Sequence, residues 1–129
     1  MPLVRISLRK GKPAAYRQKV ADNVYRALRE TFNVPEEDRF IVIDEYERDN
    51  FIFSKNYMDI PRSDDLVILQ LAVSNTRSVQ QKQTLYKRIV ERLRDEVGVR
   101  PEDVFINLVE VGIEDWSFGR GIAQYVTAT

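Results

Sequence analysis

The chain matches itself at an offset of 65 residues. "VPEEDRFIVIDE" (Val34–Glu45) lies over "VRPEDVFINLVE" (Val99–Glu110), and six of those twelve positions are identical: valine, glutamate, aspartate, phenylalanine, isoleucine and the final glutamate. Two apolar leading runs and two helical patterns fall into register at the same offset. Self-similarity at a fixed period marks a repeated supersecondary unit that buries its apolar face only against its neighbour. The fold is therefore expected to be α+β, with two β-α-β units forming a four-stranded mixed sheet, two parallel strands at its centre and two helices on one face. At 129 residues the chain suits a single domain, 1–129, with repeats over about 1–62 and 63–129.

Each repeat reads in the same order. Residues 2–8 alternate and predict a strand. Val20, Val24, Leu28 and Phe32 recur every four residues, which predicts a helix over about Pro13–Phe32, closed by Asn33-Val34-Pro35. Phe40-Ile41-Val42-Ile43 predicts a buried strand, and Asn50–Pro61 a hairpin or surface loop with a short strand at Phe51-Ile52-Phe53. In the second half, Leu66–Val73 is almost continuously apolar and predicts a strand covered on both faces. Leu85, Ile89, Leu93 and Val97 form one helical stripe, opened by a Ser78/Gln81 capping box and ended by Gly98. Phe105–Val109 predicts the last strand.

Composition narrows the chemistry. Lys plus Arg equals Asp plus Glu at 20 each, so no basic excess points to nucleic acid and no polybasic patch to a membrane surface. No apolar run approaches a membrane span and no signal-like core opens the chain, which predicts a cytoplasmic protein. There is no cysteine and no histidine, which removes thiol nucleophiles, imidazole bases and the usual zinc and iron ligand sets. "DEYERDN" (Asp44–Asn50) lacks the spacing of a calcium loop, so no metal or other cofactor is expected. A base in this chain must be a carboxylate, a lysine, a tyrosine or an amino terminus.

Pro2 lies over Val67, so the proline belongs to one repeat only and the fold does not demand it. A duplicated β-α-β chain that begins Met-Pro and carries "VPEEDRF" (Val34–Phe40), "RSDDLVILQ" (Arg62–Gln70) and "DWSFGRGIAQYV" (Asp115–Val126) resembles the tautomerase superfamily, and within it the malonate semialdehyde decarboxylase group. The resemblance implies a homotrimer, with Pro2 freed by methionine removal and acting as the catalytic group. It implies small carbonyl acids, mostly 2-oxo acids, as substrates. The chemistry agrees. An α-amino group titrates near 7.7–8.0, and burial or a neighbouring cation lowers that value until the amine is a neutral base.

Carboxylate substrates call for arginine, whose planar fork matches their geometry. The decarboxylase group carries an R-x-R pair before its second helix; here that place reads Asn75-Thr76-Arg77, with Arg77 as the carboxylate anchor and Asn75 as an uncharged donor. Asp38 matches an aspartate that the group uses beside its proline; read from the residues alone, its repetition as Asp103 points to a turn-shaping role. Trp116, Phe118 and Tyr125 match pocket aromatics of the family, and at these spacings they read equally as core or subunit interface. The expected activity is keto–enol tautomerisation of 2-oxo acid enols by Pro2. Decarboxylation or hydration of a 3-oxo acid such as malonate semialdehyde is the second reading, and a non-catalytic trimer of the same fold the third.

Overall fold

The computed structural model describes residues 1–126; the last three residues of the second repeat, 127–129, lie outside it. The elements run β1 (Pro2–Arg9), α1 (Ala14–Phe32), β2 (Ile41–Tyr46), β3 (Val67–Ser74), α2 (Val79–Arg92) and β4 (Val104–Val111). They form a four-stranded mixed sheet, order β2-β1-β3-β4. Alternation drives it. Val4, Ile6 and Leu8 of β1 and Val67, Leu69, Leu71 and Val73 of β3 point to one face, where Val20, Val24 and Leu28 of α1 and Leu85 and Ile89 of α2 cover them.

The duplication is visible atom for atom. Val4 lies opposite Ile41 in β2, and its counterpart Leu69 lies opposite Ile106, the counterpart of Ile41. The residues capping the helix starts, Pro13 and Ser78, are 65 apart, as are the left-handed residues that end the helical segments, Asn33 (φ 56°) and Gly98 (φ 84°). Lys10 N–H donates to Tyr46 O, and Asn75 N–H to Val111 O, both at 2.9 Å. α2 itself ends at Arg92 and continues as a π-helical turn over Leu93–Val97 before Gly98.

Besides Phe40–Ile43, which is not a buried strand because Phe40 and Val42 stand exposed on the helix-free face, three expectations need correction. The central strands are antiparallel: β1 pairs with β3 in that sense, and only β1 with β2 and β3 with β4 run parallel. A β-α-β connection makes its own two strands parallel, but the repeats meet about a twofold-like axis, and such an axis reverses the strand it copies. Arg5 pairs with its own counterpart Gln70, so the axis passes between them. Second, Phe51-Ile52-Phe53 is not a strand. Arg62 Nη1 donates to the carbonyls of Ser54, Tyr57 and Ile60 (3.4, 3.0 and 3.3 Å), holding this segment as a loop with two 3-10 turns. Third, β3 is covered on one face only; Ile68, Gln70 and Ala72 lie on the helix-free face.

That open face is apolar towards one end. Phe40, Leu3, Ala72 and Val109 stand in a row across the sheet, beside Val42. A polar row of Arg5, Gln70 and Asn107 crosses its middle. Among the described residues, no helix is long and apolar enough to cross a membrane.

Candidate active site

The start of β1 puts the chain's amino group where three other elements end. The turn before β2 brings Asp38, the β3–α2 connection brings Arg77, and the segment after β4 brings Trp116, Phe118 and Tyr125. The Met1 amine stands 3.9 Å from Asp38 Oδ2, with both side chains nearly buried. Burial, assisted by the positive charge of Arg77, lowers the pKa of this amine below its ordinary 8.0, although Asp38 pulls the other way. Burial also pushes the Asp38 carboxyl up, against the attraction of the amine. The hydroxyl of Tyr125 is raised by burial, then by Asp38, and lowered by Arg77, which places it among the same charges. In this structure Pro2 is buried one residue inside, and its nitrogen is an amide within β1.

Arg77 is held from behind. Its Nη2 donates to Phe32 O (2.9 Å), its Nη1 to Thr76 Oγ1, and the guanidinium lies 4.8 Å from the centre of the Phe32 ring. Phe32 is the last residue of α1, so the cation also sits at the negative end of that helix. Asn75 is exposed in the same connection. The far wall is aromatic. Trp116 stacks on Phe118 (5.5 Å between ring centres), and Phe118 meets Tyr125 edge-on (5.0 Å). With Met1, Leu3 and Phe40 of the open sheet face, Trp116 and Phe118 line a cavity of about 400 Å³.

Several contributors were not singled out from the sequence. Ser74 Oγ accepts from Trp116 Nε1 at 3.1 Å and fixes the indole. Gln124 holds the aromatic loop closed, accepting from Phe118 N–H and donating to Gly119 O (2.9 Å each). Phe32 reads in the sequence as the last residue of the core stripe of α1, and Ser74 and Gln124 carry no sequence signal.

A half-buried amine of lowered pKa, a carboxyl and an arginine beside it, and an aromatic wall are groups of the kinds that proton transfer on a small anion calls for. Comparison with known proteins bears on the same point. A family described as "Tautomerase enzyme" matches residues 38–119, and a second of the same description matches residues 2–59. The chain belongs to the tautomerase family. Among tautomerase relatives, the probable tautomerase YusQ of Bacillus subtilis (strain 168) is 40% identical over 126 residues, covering 98% of this chain and 99% of its own. The probable tautomerase YrdN of the same organism is 33% identical over 98% of each chain. A solved malonate semialdehyde decarboxylase superposes with a TM-score of 0.91 at 31% identity, covering 97% of this chain and 96% of the other. A second one, inhibited by 3-bromopropiolate, gives 0.91 at 35% identity, covering 97% and 95%. The kinship supports an isomerase-type enzyme built on this tautomerase fold.

Proposed function

We propose that, once Met1 is removed, Pro2 presents its secondary amine beside Asp38 and Arg77 and catalyses keto–enol tautomerisation of 2-oxo acid enols. The observation that carries this reading is the half-buried Met1 amino terminus, whose proton affinity is lowered beside Asp38, Arg77 and an aromatic wall. Arg77 holds the substrate carboxylate. The neutral amine takes the enol hydroxyl proton, the C=C pair moves to carbon as C=O forms, and the prolinium returns its proton to that carbon. One O–H bond breaks, one C–H bond forms, and no proton is gained or lost. Trp116, Phe118 and Tyr125 enclose an apolar substituent, and Asn75 lies at the rim as an uncharged donor.

Decarboxylation or hydration of a 3-oxo acid is the second reading, favoured by the 31% and 35% identity to malonate semialdehyde decarboxylases. Asp38 then orients water or the departing carboxylate beside the protonated amine. The open sheet face, with Leu3, Val42, Phe105 and Val109 all more than 40% exposed, is proposed to be covered by two further copies of the chain in a trimer. Light scattering at micromolar protein that shows a monomer overturns this assembly.

The test is ketonisation of phenylpyruvate enol by protein whose mass lacks Met1. Pro2→Ala is expected to lower the rate by about 10²–10⁴-fold. Full activity in Pro2→Ala overturns the assignment, and turnover of malonate semialdehyde without ketonisation favours the second reading.

A further inference from the structure

Each repeat ends its leading strand on a residue that reaches the loop following its second strand. At the 65-residue offset these residues are Arg9 and Ser74, and the loop aromatics they meet are Phe51 and Trp116. In the first repeat the tie goes to the main chain, Arg9 Nη2 donating to Phe51 O at 3.3 Å. The Phe51 ring is buried and stacks on Tyr46 (5.8 Å). In the second repeat the tie goes to the ring itself, since Trp116 Nε1–H donates to Ser74 Oγ at 3.1 Å. An indole N–H lies in the plane of its ring and points one way. This bond therefore sets the orientation of the ring as well as the path of the loop.

Ser74 is 5% exposed, so its oxygen needs a partner inside the protein, and the indole supplies one. It is the last residue of β3, one beyond Val73, which pairs with Pro2 across the antiparallel ladder. Anchor and chain start stand on adjacent strands of one sheet, a firmer frame than the loop that carries Trp116. Within that loop the bonds of Gln124 to Phe118 and Gly119 are local, whereas the bond to Ser74 joins the loop to the sheet. Phe118 lies nearly parallel to the indole, with 19° between their planes, so setting Trp116 sets both. Both rings line the cavity of about 400 Å³ beside Leu3 and Phe40.

We propose that Ser74 is a positioning residue that sets substrate specificity, holding the Trp116 indole as a flat face for the substituent of a carboxylate ligand. The class so favoured is carboxylic acids bearing an aryl ring, over those with a short alkyl chain. A ring gains from offset stacking only where the indole is held, whereas a short chain is indifferent to its rotation. The inference rests on the proposed function for the place of the carboxylate, and not for proton transfer.

The experiment uses the only tryptophan of the chain as a reporter. 3-Phenylpropionate and propionate, carboxylates that cannot ketonise, are titrated into protein lacking Met1, following the Trp116 indole N–H and Phe118 amide signals by NMR. Wild type should show saturable shifts of both signals with 3-phenylpropionate. Ser74→Ala should weaken that binding by about tenfold, the upper worth of one hydrogen bond, and propionate binding by less than about twofold. Ser74→Thr, which keeps the hydroxyl, should stay within about twofold of wild type. Ser74→Ala/Trp116→Phe, read on the Phe118 amide, should bind no more weakly than Trp116→Phe alone, because the two residues act through one bond. Wild-type affinity in Ser74→Ala, an unresponsive indole in wild type, or an equal loss for the two ligands overturns the proposal. No arm of the test turns over substrate, so an inactive Pro2 leaves the proposal standing and its own failure leaves the Pro2 reading untouched.

Discussion

Asp38 and Asp103 begin from the same local chemistry and end in different states. Each ends a Pro-containing turn ahead of a strand, and each closes it with a main-chain bond, Asp38 N–H to Pro35 O (3.0 Å) and Asp103 N–H to Arg100 O (2.9 Å). From there the surroundings diverge. Asp103 has both oxygens satisfied by Ser63 and is backed by a guanidinium; Asp38 has one oxygen unpartnered and the other 3.9 Å from an amine. A buried polar atom without a partner costs about 1–3 kcal/mol, a cost that persists where the group has another task. The pair therefore separates a carboxylate tied into the fold from one left with an unpartnered oxygen, although the residues on either side hardly differ.

The largest effect should come from breaking the satisfied member. Asp103→Ala strands the Ser63 N–H and Oγ–H in the interior, and should lower stability by about 3 kcal/mol in urea unfolding. Asp38→Ala, removing an unsatisfied group, should change it by no more than about 0.5 kcal/mol. If the two variants lose the same amount, the contrast is wrong.

The amine gives a second way to sharpen it. Its pKa in the folded chain lies below the ordinary 8.0, so between those two values the unfolded chain holds a proton that the folded one has released. Stability contributed by this group therefore rises with pH through that window and is level on either side. Asp38 raises the amine and Arg77 lowers it. Asp38→Asn should accordingly move the titration down and widen the window, and Arg77→Ala should move it up and narrow it. The pH dependence of amine acylation by a small electrophile reads both shifts; movement in the opposite senses would show that the charges do not act as placed.

The smallest effect lies at the helix ends, where the repeats solve one problem with two residues. Gly98 holds φ 84° with open space around it, so Gly98→Ala meets only backbone strain and should cost about 1 kcal/mol. Asn33→Gly, at φ 56°, should shift stability by only a few tenths of a kcal/mol in the same urea unfolding. A clash-sized loss at Gly98 would mean that the end is packed more tightly than its twin.

The sequence by itself determined the two helical stripes, the Ser78/Gln81 cap and the alternation of β1, because each follows from neighbours a few residues apart, and the repeat, because its two copies can be laid over one another. It also singled out Pro2 as the position the duplication does not explain. Tertiary structure alone decided the rest. The antiparallel centre of the sheet depends on how two units meet, and no local pattern encodes that axis. Phe51-Ile52-Phe53 has strand composition, yet Arg62 captures the carbonyls of its loop from beyond it. Trp116 is oriented by Ser74, 42 residues away, and Asp103 is satisfied by Ser63 at a separation of 40. Whether a buried carboxylate supports the fold or stays available for chemistry rests on such distant partners, since burial sets the cost of its charge and only folding chooses who meets it.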